Sequence, residues 1–318
     1  MQYKLTILNY QDGFFLQLCI ILKYSHASSY HNPHPMISFT TINEIQDYLN
    51  HQLQNGKTIG FVPTMGALHE GHLTLVKRSK AENDISVCSI FVNPIQFNNR
   101  EDLLKYPRTL ESDARMLEEI ACDVLFAPNA SEMYPDNEQV TLDIEFDMLD
   151  KVMEGKFRPG HFKGVAIVVK KLFDIVMPTC AYFGKKDFQQ LAVIQFMVRS
   201  LEMPVRIIPC STVRESDGLA MSSRNMRLTI AERNLAPKIY QVLSKVKNKV
   251  GKIPVSELKD WAIRKIQEDP ELRVEYFEIG DKETLLPLEN WDYKERAVAF
   301  TAVFLGDVRL IDNIELFS

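Results

Sequence analysis

Residues 63–72 read Pro63-Thr64-Met65-Gly66-Ala67-Leu68-His69-Glu70-Gly71-His72, and the rest of the chain is organised around this stretch. The preceding residues 57–62 are apolar and β-prone, as expected of a buried parallel strand. After the stretch, apolar or small residues recur at a helical spacing, at Leu73, Leu75, Val76 and Ser79. The sequence therefore predicts a strand, a tight turn and a helix.

The residues of this turn suit the binding of an anion. Gly66 and Gly71 would let the backbone bend and approach a ligand closely. N–H groups at the start of a helix are free to bind an anion, most often a phosphate. His69 and His72, one helical turn apart, would add two donors that face the same anion. We therefore expect phosphate chemistry here, with pyrophosphate as a leaving group.

Two alternatives exist for this histidine pair. The zinc-protease motif requires its histidines four residues apart, and the fourth residue after His69 is Leu73. The second alternative is a pair of surface histidines without a ligand. The two glycines and the preceding strand argue against that interpretation.

The composition is that of an ordinary soluble globular protein. The 318 residues are 46% hydrophobic and 25% charged, which is enough for a large core and two domains. The net charge of −5 argues against nucleic acid as the main partner, because phosphate backbones require a basic face. The cysteines form no CxxC pair, which favours free thiols in a reducing cytoplasm over a disulfide framework or a zinc site; they are Cys19, Cys88, Cys122, Cys180 and Cys210.

Residues 1–35 differ from the rest of the chain. The apolar run 14–22 is far too short to span a bilayer, and its flanks make a poor signal peptide. Residues 25–35 are rich in Ser, His, Asn and Pro, which is typical of unstructured segments. A regular pattern begins at Met36. We therefore expect residues 1–35 to be a disordered extension outside the fold, and we expect no membrane association.

From Met36 onward, strand and helix patterns alternate. Strands are predicted at 57–62, 85–92, 124–126, 181–183 and 205–208, and helices near 42–54, 109–120, 165–176 and 191–201. Thr41, followed three residues later by Glu44, is typical of a helix N-cap. Such alternation makes right-handed βαβ units and a mostly parallel sheet. Residues 36–210 are therefore expected to form a Rossmann-like α/β domain.

The last third of the chain, residues 211–318, is predicted to form a smaller α+β domain. Its pattern gives two helices and then three strands, at 230–250, 255–266, 273–279, 297–304 and 308–311.

Polar segments follow three strands of the predicted parallel sheet, where ligands bind in such folds. They are Asn93-Pro94-Ile95-Gln96-Phe97, Gly184-Lys185-Lys186-Asp187-Phe188-Gln189-Gln190, and the run 212–225 with Met221-Ser222-Ser223-Arg224. Two hydroxyls and a guanidinium suit a polyphosphate. Taken singly, the glutamines could be solvated amides, the lysines a wet helix end and Ser222 a plain N-cap. Together, at one sheet edge, they favour a nucleotide site.

From about Met36 to the C-terminus the sequence resembles the pantothenate synthetase (pantoate–beta-alanine ligase) family. Six blocks in the family's order carry the resemblance: 63–72, 90–97, 106–109, 158–162, 183–191 and 217–225. By this resemblance the chain belongs to the nucleotidyltransferases with HIGH and KMSKS signatures, here at residues 69–72 and 221–224.

The resemblance implies a two-step ligation. Pantoate carboxylate attacks the α-phosphorus of ATP and gives pantoyl adenylate and pyrophosphate. The amine of beta-alanine then attacks the acyl carbon and releases pantothenate and AMP. Magnesium would be held largely by the ATP phosphates, with no metal site built from protein side chains alone.

The resemblance also implies roles for individual residues. Catalytic positions are His69, His72, Lys186 and Arg224, with a proton-donor role at His72. Pantoate would bind Gln96 and Gln190, and beta-alanine would bind Gln96 and Arg158. The positions that match the ATP pocket are Met65, Gly66, Ala67, Leu68, His69, Glu70, Gly71, His72, Gly184, Lys185, Lys186, Asp187, Val213, Met221, Ser222, Ser223 and Arg224.

Two parts of the chain depart from the family pattern. Lys185 stands where Glu or Gln is common, and residues 1–35 match nothing in the family. The resemblance further implies a homodimer formed through the N-terminal domain, and a C-terminal domain that closes over the site like a lid.

Rival functions share parts of this pattern. A nucleotidyltransferase that stops after transferring a nucleotide would have no use for Gln96 and Gln190. An aminoacyl-tRNA synthetase is disfavoured by the acidic charge and the lack of an anticodon-binding domain. A catalytically silent nucleotide sensor would not release pyrophosphate in response to pantoate.

Overall fold

The computed structural model describes residues 35–97, 100–135, 141–292 and 294–317. Apart from Pro35, the predicted extension 1–35 lies outside the described residues. The chain from Met36 onward groups as one unit, so the predicted domain boundary near residue 210 stays a prediction.

A six-stranded parallel sheet forms the first half of the fold. Its strands are β1 (Ile37–Phe39), β2 (Ile59–Thr64), β3 (Ile85–Ile90), β4 (Val124–Phe126), β5 (Cys180–Gly184) and β6 (Arg206–Cys210). They lie in the order β1-β4-β3-β2-β5-β6, and every neighbouring pair is parallel. The predicted Rossmann-like α/β fold is thereby confirmed.

Helices cover both faces of this sheet. They are α1 (Ile42–Gln54), α2 (Glu70–Glu82), α3 (Arg100–Lys105), α4 (Leu110–Glu119), α5 (Ala130–Met133), α6 (Met153–Phe157), α7 (His161–Val176) and α8 (Phe188–Ser200). The predicted cap of α1 is present, because the Glu44 N–H donates to Thr41 Oγ1 at 3.4 Å.

Successive strand residues face opposite layers, which explains why the strands are apolar throughout. In β2, Phe61 joins the core formed with α1, α7 and α8, and Val62 joins the core formed with α2 and α4. Both side chains are fully buried.

A three-stranded antiparallel sheet forms the second half. Its strands β7 (Leu272–Asp281), β8 (Ala297–Leu305) and β9 (Val308–Glu315) lie in sequence order. One face packs on helices α10 (Lys238–Lys247) and α11 (Val255–Ile266). From the other face, Phe300 joins the core of the parallel sheet, where its ring meets Phe188 edge-on at 5.5 Å.

The structure corrects several predicted elements. The helix predicted at 230–250 is two helices, α9 (Ile230–Leu235) and α10, because Pro237 lacks an N–H and its ring would clash with a continuous helix. The helix predicted at 165–176 begins four residues earlier, at His161. Strand β1 and the short helices α3, α5 and α6 were not predicted. The four described cysteines are free and buried.

Candidate active site

The parallel sheet opens at its carboxyl edge between β2 and β5. These strands pair only through Gly60 and Phe61 of β2, whereas β2 stays paired with β3 to Thr64 and β5 stays paired with β6 to Gly184. The gap coincides with the point where the strand order reverses, since β3 and β4 lie on one side and β6 on the other. Ligands of open α/β sheets bind at such switch points.

The turn after β2 brings both predicted histidines to this gap. His69 is the N-cap of α2, and its ring centroid lies 4.0 Å from that of His72. His69 Nδ1 accepts a hydrogen bond from the Gly71 N–H at 3.2 Å, and His72 Nδ1 accepts one from the His69 N–H at 3.3 Å. A neutral imidazole that accepts at Nδ1 carries its proton on Nε2. Each ring therefore keeps an Nε2–H donor for a ligand.

Both rings are neutral at physiological pH. Burial, followed by the charge of Lys186, lowers the pKa of His69 to about 4. Burial, followed by the neighbouring His69 and Lys186, lowers the pKa of His72 to about 3. The turn thus offers two uncharged N–H donors rather than two imidazolium cations.

The histidine turn is held in place by Asp113 of α4, a residue that was not predicted from the sequence. Its carboxylate is buried and accepts hydrogen bonds from the N–H groups of Ala67 and Leu68, both at 2.9 Å. The Thr109 hydroxyl donates to the same carboxylate at 3.1 Å. Gly66 has a φ of +81°, and an added Cβ would lie 3.0 Å from Asp113 Oδ2. The predicted backbone bend at Gly66 is therefore confirmed.

These contacts correct the expected chemistry of the turn. Ala67 and Leu68 donate to Asp113, Gly71 donates to the His69 ring, and the His72 N–H donates to the His69 carbonyl at 2.8 Å. The prediction that free N–H groups of the turn bind a phosphate is wrong for these four groups. The chain supplies its own anion, the Asp113 carboxylate, to the N–H groups of Ala67 and Leu68.

Gln96 ends a 3-10 turn, Pro94–Gln96, directly after β3. The side chain is buried; Oε1 accepts from Asn93 Nδ2 at 3.2 Å, and Nε2 lies 2.9 Å from Met65 Sδ. Helix α7 packs tightly against this turn, because an added Cβ on Gly164 would lie 2.8 Å from the Gln96 Cα. The fold therefore fixes the position of Gln96.

The segment after β5 forms a 3-10 turn, Lys185–Asp187, that leads into α8. Lys186 and Gln190 line the gap between β2 and β5. Lys185 is turned away, and its Nζ donates to Glu315 Oε1 at 2.7 Å.

The third predicted segment forms the opposite wall. Ser222 caps the 3-10 turn Ser223–Arg227 by accepting from the Arg224 N–H at 3.3 Å. The N-cap interpretation of Ser222 is therefore correct, and the residue also lines the gap together with Arg224.

Two adjoining cavities occupy this region, of about 210 Å³ and about 650 Å³. Five predicted site residues line both: Lys186, Asp187, Gln190, Ser222 and Arg224. The smaller cavity adds Met65, His69, Gly71, His72, Gln96, Gly184, Val213, Met221 and Ser223, and the larger adds Arg158.

The remaining predicted ATP-binding residues of the histidine turn do not line either cavity. Gly66, Ala67 and Leu68 form the buried turn above Asp113. Glu70 is exposed and pairs with Lys77 at 2.6 Å.

The larger cavity contains an ion network that was not predicted. Arg309 of β9 donates to both carboxylate oxygens of Glu154, at 2.8 and 2.6 Å, and Arg158 lies 3.8 Å from the same carboxylate. Burial raises the pKa of Glu154, but the hydrogen bonds and charge of Arg309 outweigh it, so the pKa falls below its usual range. Glu154 is therefore an anion, and it lies beside Arg158 at the cavity wall.

Over the ranges that the structure describes, no group of three or more His, Cys, Asp or Glu could hold a metal ion. No helix of those ranges is both long enough and apolar enough to cross a bilayer.

Comparison with known sequences gives consistent matches. The profile of the pantoate-beta-alanine ligase family matches residues 37–315. Pantothenate synthetase of Bacteroides fragilis is 50% identical over 275 residues, which are 86% of this chain and 97% of that protein. The enzyme of Flavobacterium psychrophilum is 47% identical over 282 residues, which are 88% of this chain and all of that protein.

Solved structures agree with the sequence matches. Pantothenate synthetase from Thermus thermophilus superposes with a TM-score of 0.83 at 43% identity, covering 89% of this chain and 100% of that one. Pantoate-beta-alanine ligase from Francisella tularensis, complexed with beta-gamma ATP and beta-alanine, gives a TM-score of 0.73 at 36% identity over 88% of this chain and 97% of that one.

Proposed function

We propose that the cavities at the sheet edge carry out both steps of the reaction of this chain. The chain belongs to the pantoate-beta-alanine ligase family and is an enzyme that joins pantoate to beta-alanine at the expense of ATP. The observation that supports the proposal most directly is the pair of neutral histidines in a cavity shared with Lys186, Ser222 and Arg224.

In the first step, a pantoate carboxylate oxygen attacks the α-phosphorus of ATP. The new P–O bond forms as the bond to the bridging oxygen breaks, and the electron pair leaves with pyrophosphate. Negative charge grows on the leaving phosphates, so donors fixed in advance around them lower the barrier. We assign this role to the Nε2–H groups of His69 and His72, to Lys186, and to Ser222, Ser223 and Arg224.

The neutral state of His72 favours one form of its catalytic role. With a pKa of about 3 in the free protein, His72 is a neutral ring before the nucleotide binds. We therefore propose that it stabilises the leaving oxygen by a hydrogen bond from Nε2–H, in place of full proton donation.

The pantoate pocket is assigned to Gln96 and Gln190. Neither amide titrates, so hydrogen bonding to the hydroxyls and carboxylate of pantoate is their only available role. The buried, doubly engaged amide of Gln96 supports a rigid wall here.

In the second step, the beta-alanine amine attacks the acyl carbon of pantoyl adenylate. The C–O bond to AMP breaks, the electron pair leaves with AMP, and the amine loses its proton to solvent. We assign the beta-alanine carboxylate to Arg158 in the larger cavity, with Gln96 bordering both acids. The guanidinium of Arg158 lines the larger cavity 3.8 Å from the Glu154 carboxylate, and its charge complements a second carboxylate, which supports this assignment.

We further propose that ATP arrives with Mg²⁺ on its phosphates. The described residues offer no group of three metal-binding side chains, which fits an ion held mainly by phosphate and water, as Mg²⁺ usually is in nucleotide sites. A cytoplasmic homodimer completes the proposal; it rests on the resemblance, and gel filtration with light scattering tests the dimer.

Exchange of labelled pyrophosphate into ATP tests the reaction order. Pantoate alone should support exchange, because adenylate formation precedes amine attack, and beta-alanine alone should not. Exchange that requires beta-alanine would replace the two-step scheme with a concerted one. No exchange under any condition, with ATP still bound, would indicate a nucleotide sensor.

A further inference from the structure

We propose that Arg214, Asp312 and Asn313 are positioning residues that hold the two cation-bearing segments of the site at a fixed separation. The two segments are the turn Lys185–Asp187, which carries Lys186, and the loop 213–224, which ends in Ser222-Ser223-Arg224. The inference rests on the proposed function, because it assigns how that site is kept in shape. It concerns strand β9, which reaches the site from the second sheet.

Asn313 fixes the first segment. Its side-chain amide donates to the carbonyl of Lys185 at 2.9 Å and to that of Lys186 at 2.8 Å. The side chain is buried, so neither carbonyl has water as a ready substitute. One amide group thereby sets the direction in which the Lys186 side chain leaves the backbone.

Arg214 fixes the second segment from the same place on β9. Its guanidinium forms a bidentate pair with the buried Asp312, at 2.7 and 3.0 Å, and donates to the Asn313 carbonyl at 3.2 Å. It also donates to the Gly218 carbonyl at 3.1 Å and lies over the Tyr240 ring, 3.8 Å from its centroid. These contacts use the whole planar group, which lysine cannot reproduce.

The loop held by Arg214 is a narrow hairpin. Arg214 pairs with Ala220 in an antiparallel bridge, and the Met221 N–H donates to the Val213 carbonyl at 3.0 Å. Because Ser222 follows directly, the position of the hairpin sets the position of Ser222 and Arg224. Two neighbouring residues of β9, Asp312 and Asn313, thus determine the placement of both cationic segments.

Mutagenesis of the amide tests the first contact. In Asn313→Ala the backbone carbonyls of Lys185 and Lys186 each lose their hydrogen bond from the amide, and misplacing a catalytic group by about 1 Å can cost roughly a hundredfold in rate. We expect kcat for pantoate-dependent pyrophosphate exchange to fall between about ten- and a hundredfold. The KM for ATP should rise by a smaller factor, because the misplaced lysine acts mainly in the transition state.

The matched control is Asn83→Ala. Asn83 also donates two hydrogen bonds, to the Ser79 carbonyl at 2.8 Å and the Tyr182 hydroxyl at 2.7 Å, but it lies at the C-terminal end of α2 and lines neither cavity. It should lower the melting temperature to a similar extent and leave kcat within about twofold. Equal losses of kcat in the two variants would mean that Asn313 serves general stability, and the inference would be overturned.

Hydrogen–deuterium exchange gives a readout that does not depend on activity. Asn313→Ala should speed exchange in peptides that cover residues 185–190, and Arg214→Lys should do so in peptides that cover 213–225, while Asn83→Ala should affect neither. Unchanged exchange in both regions would overturn the inference even if activity fell. If the unmodified protein shows no pyrophosphate exchange, the proposed function fails, and the deuterium data still decide the positioning role.

Discussion

The two walls of the smaller cavity differ in charge and are held in place by different parts of the chain. The histidine wall is uncharged, and its support comes from the same half of the fold: Asp113 of α4 accepts hydrogen bonds from the turn at Ala67 and Leu68. The cationic wall carries Lys186 and Arg224, and its support comes from the second sheet. Strand β9 lies more than a hundred residues away in sequence from Lys186.

This difference explains how the site avoids repulsion between like charges. Buried imidazolium rings beside Lys186 would repel it, and the pKa values of His69 and His72 fall in part for that reason. The histidines therefore supply N–H donors of fixed geometry, whereas Lys186 and Arg224 supply positive charge. The separate contribution of each wall can be tested by changing residues of one wall and leaving the other intact.

Replacing His72 by alanine should have the largest effect. Loss of one preorganised donor to a developing charge costs about a hundredfold or more in kcat. Because the contact is made mainly in the transition state, kcat and kcat/KM should fall together, with little change in ATP affinity. Single-turnover adenylate formation and a separate ATP-binding titration measure the two quantities.

His72→Gln separates the donor role from proton transfer. A glutamine amide keeps an N–H donor at about the same distance along the side chain but cannot act as an acid. Part of the lost rate should return in this variant. If His72→Gln is as slow as His72→Ala, the ring transfers a proton, and the uncharged character of this wall is not its catalytic feature.

Gln190→Ala is expected to have the next largest effect, because Gln190 stands where the two cavities meet. A hydrogen bond to a charged group contributes about 1.5–3 kcal/mol, which corresponds to roughly ten- to a hundredfold in affinity. The KM for pantoate should rise by that factor, and the KM for ATP should change little. Steady-state kinetics with each substrate varied in turn measures both.

Gln96→Ala extends the same test. It should raise the KM for pantoate as Gln190→Ala does and also impair the use of beta-alanine. Should either variant weaken ATP as much as pantoate, the glutamines do not form a pocket separate from that of the nucleotide.

Asp113→Asn tests the local support of the histidine wall. The amide can accept only one of the two N–H bonds, so the turn at Ala67 and Leu68 should loosen, with a loss of about 1–3 kcal/mol in the free energy of unfolding. Activity should fall about tenfold, less than in His72→Ala, because both rings remain present. Urea unfolding and pyrophosphate exchange measure these effects.

Asp123→Asn is the matched control. Asp123 also accepts from a backbone N–H and a hydroxyl, those of Ser86 at 2.9 and 2.7 Å, but it precedes β4 at the amino edge of the sheet. It should cost similar stability without the loss of activity. A parallel loss of activity in both variants would show that the turn responds to general stability and has no special dependence on Asp113.

Much of the fold was predictable because periodicity is a local signal. Buried strands such as β2 read as apolar runs, and α11 was predicted with both of its ends correct. The short edge strand β1 was missed because its three residues are largely exposed and form no apolar run, unlike the equally short but buried β4. The break at Pro237 was missed because the apolar spacing continues across it. The sequence therefore specified the elements better than their ends.

The walls of the site were predictable, and their supports were not. His69, Lys186 and Gln190 stand directly after strands, where a sequence pattern can locate them. Asp113 and Asn313 lie inside regular elements and act through backbone groups distant in sequence. No spacing rule connects such pairs, so only the folded structure reveals them. The same limit explains the wrong prediction of free N–H groups in the turn.

The uncharged state of the histidine wall also affects how the free energy of unfolding depends on pH. His161, whose Nδ1 lies 2.8 Å from the Gln96 carbonyl, is a third buried ring, and burial followed by the charge of Arg158 lowers its pKa to about 4. All three pKa values lie below the ordinary histidine pKa of 6.5. In the unfolded chain these rings therefore bind protons at a higher pH than in the native state.

The last expected effect is thus a pH dependence of stability that arises from these buried rings. The free energy of unfolding rises with pH wherever the unfolded state binds more protons. Between about pH 6.5 and pH 4 the unfolded chain protonates His69, His72 and His161 while the native protein does not, so stability should fall as the pH is lowered through this range. Each ring contributes a slope of at most about 1.4 kcal/mol per pH unit, and above pH 7 the contribution is constant. Urea unfolding at half-unit steps of pH measures the slope, and the double variant His69→Gln, His72→Gln should show a shallower one. An unchanged slope in that variant would mean that the rings are already protonated in the native state, and the two walls would then carry charge of the same sign.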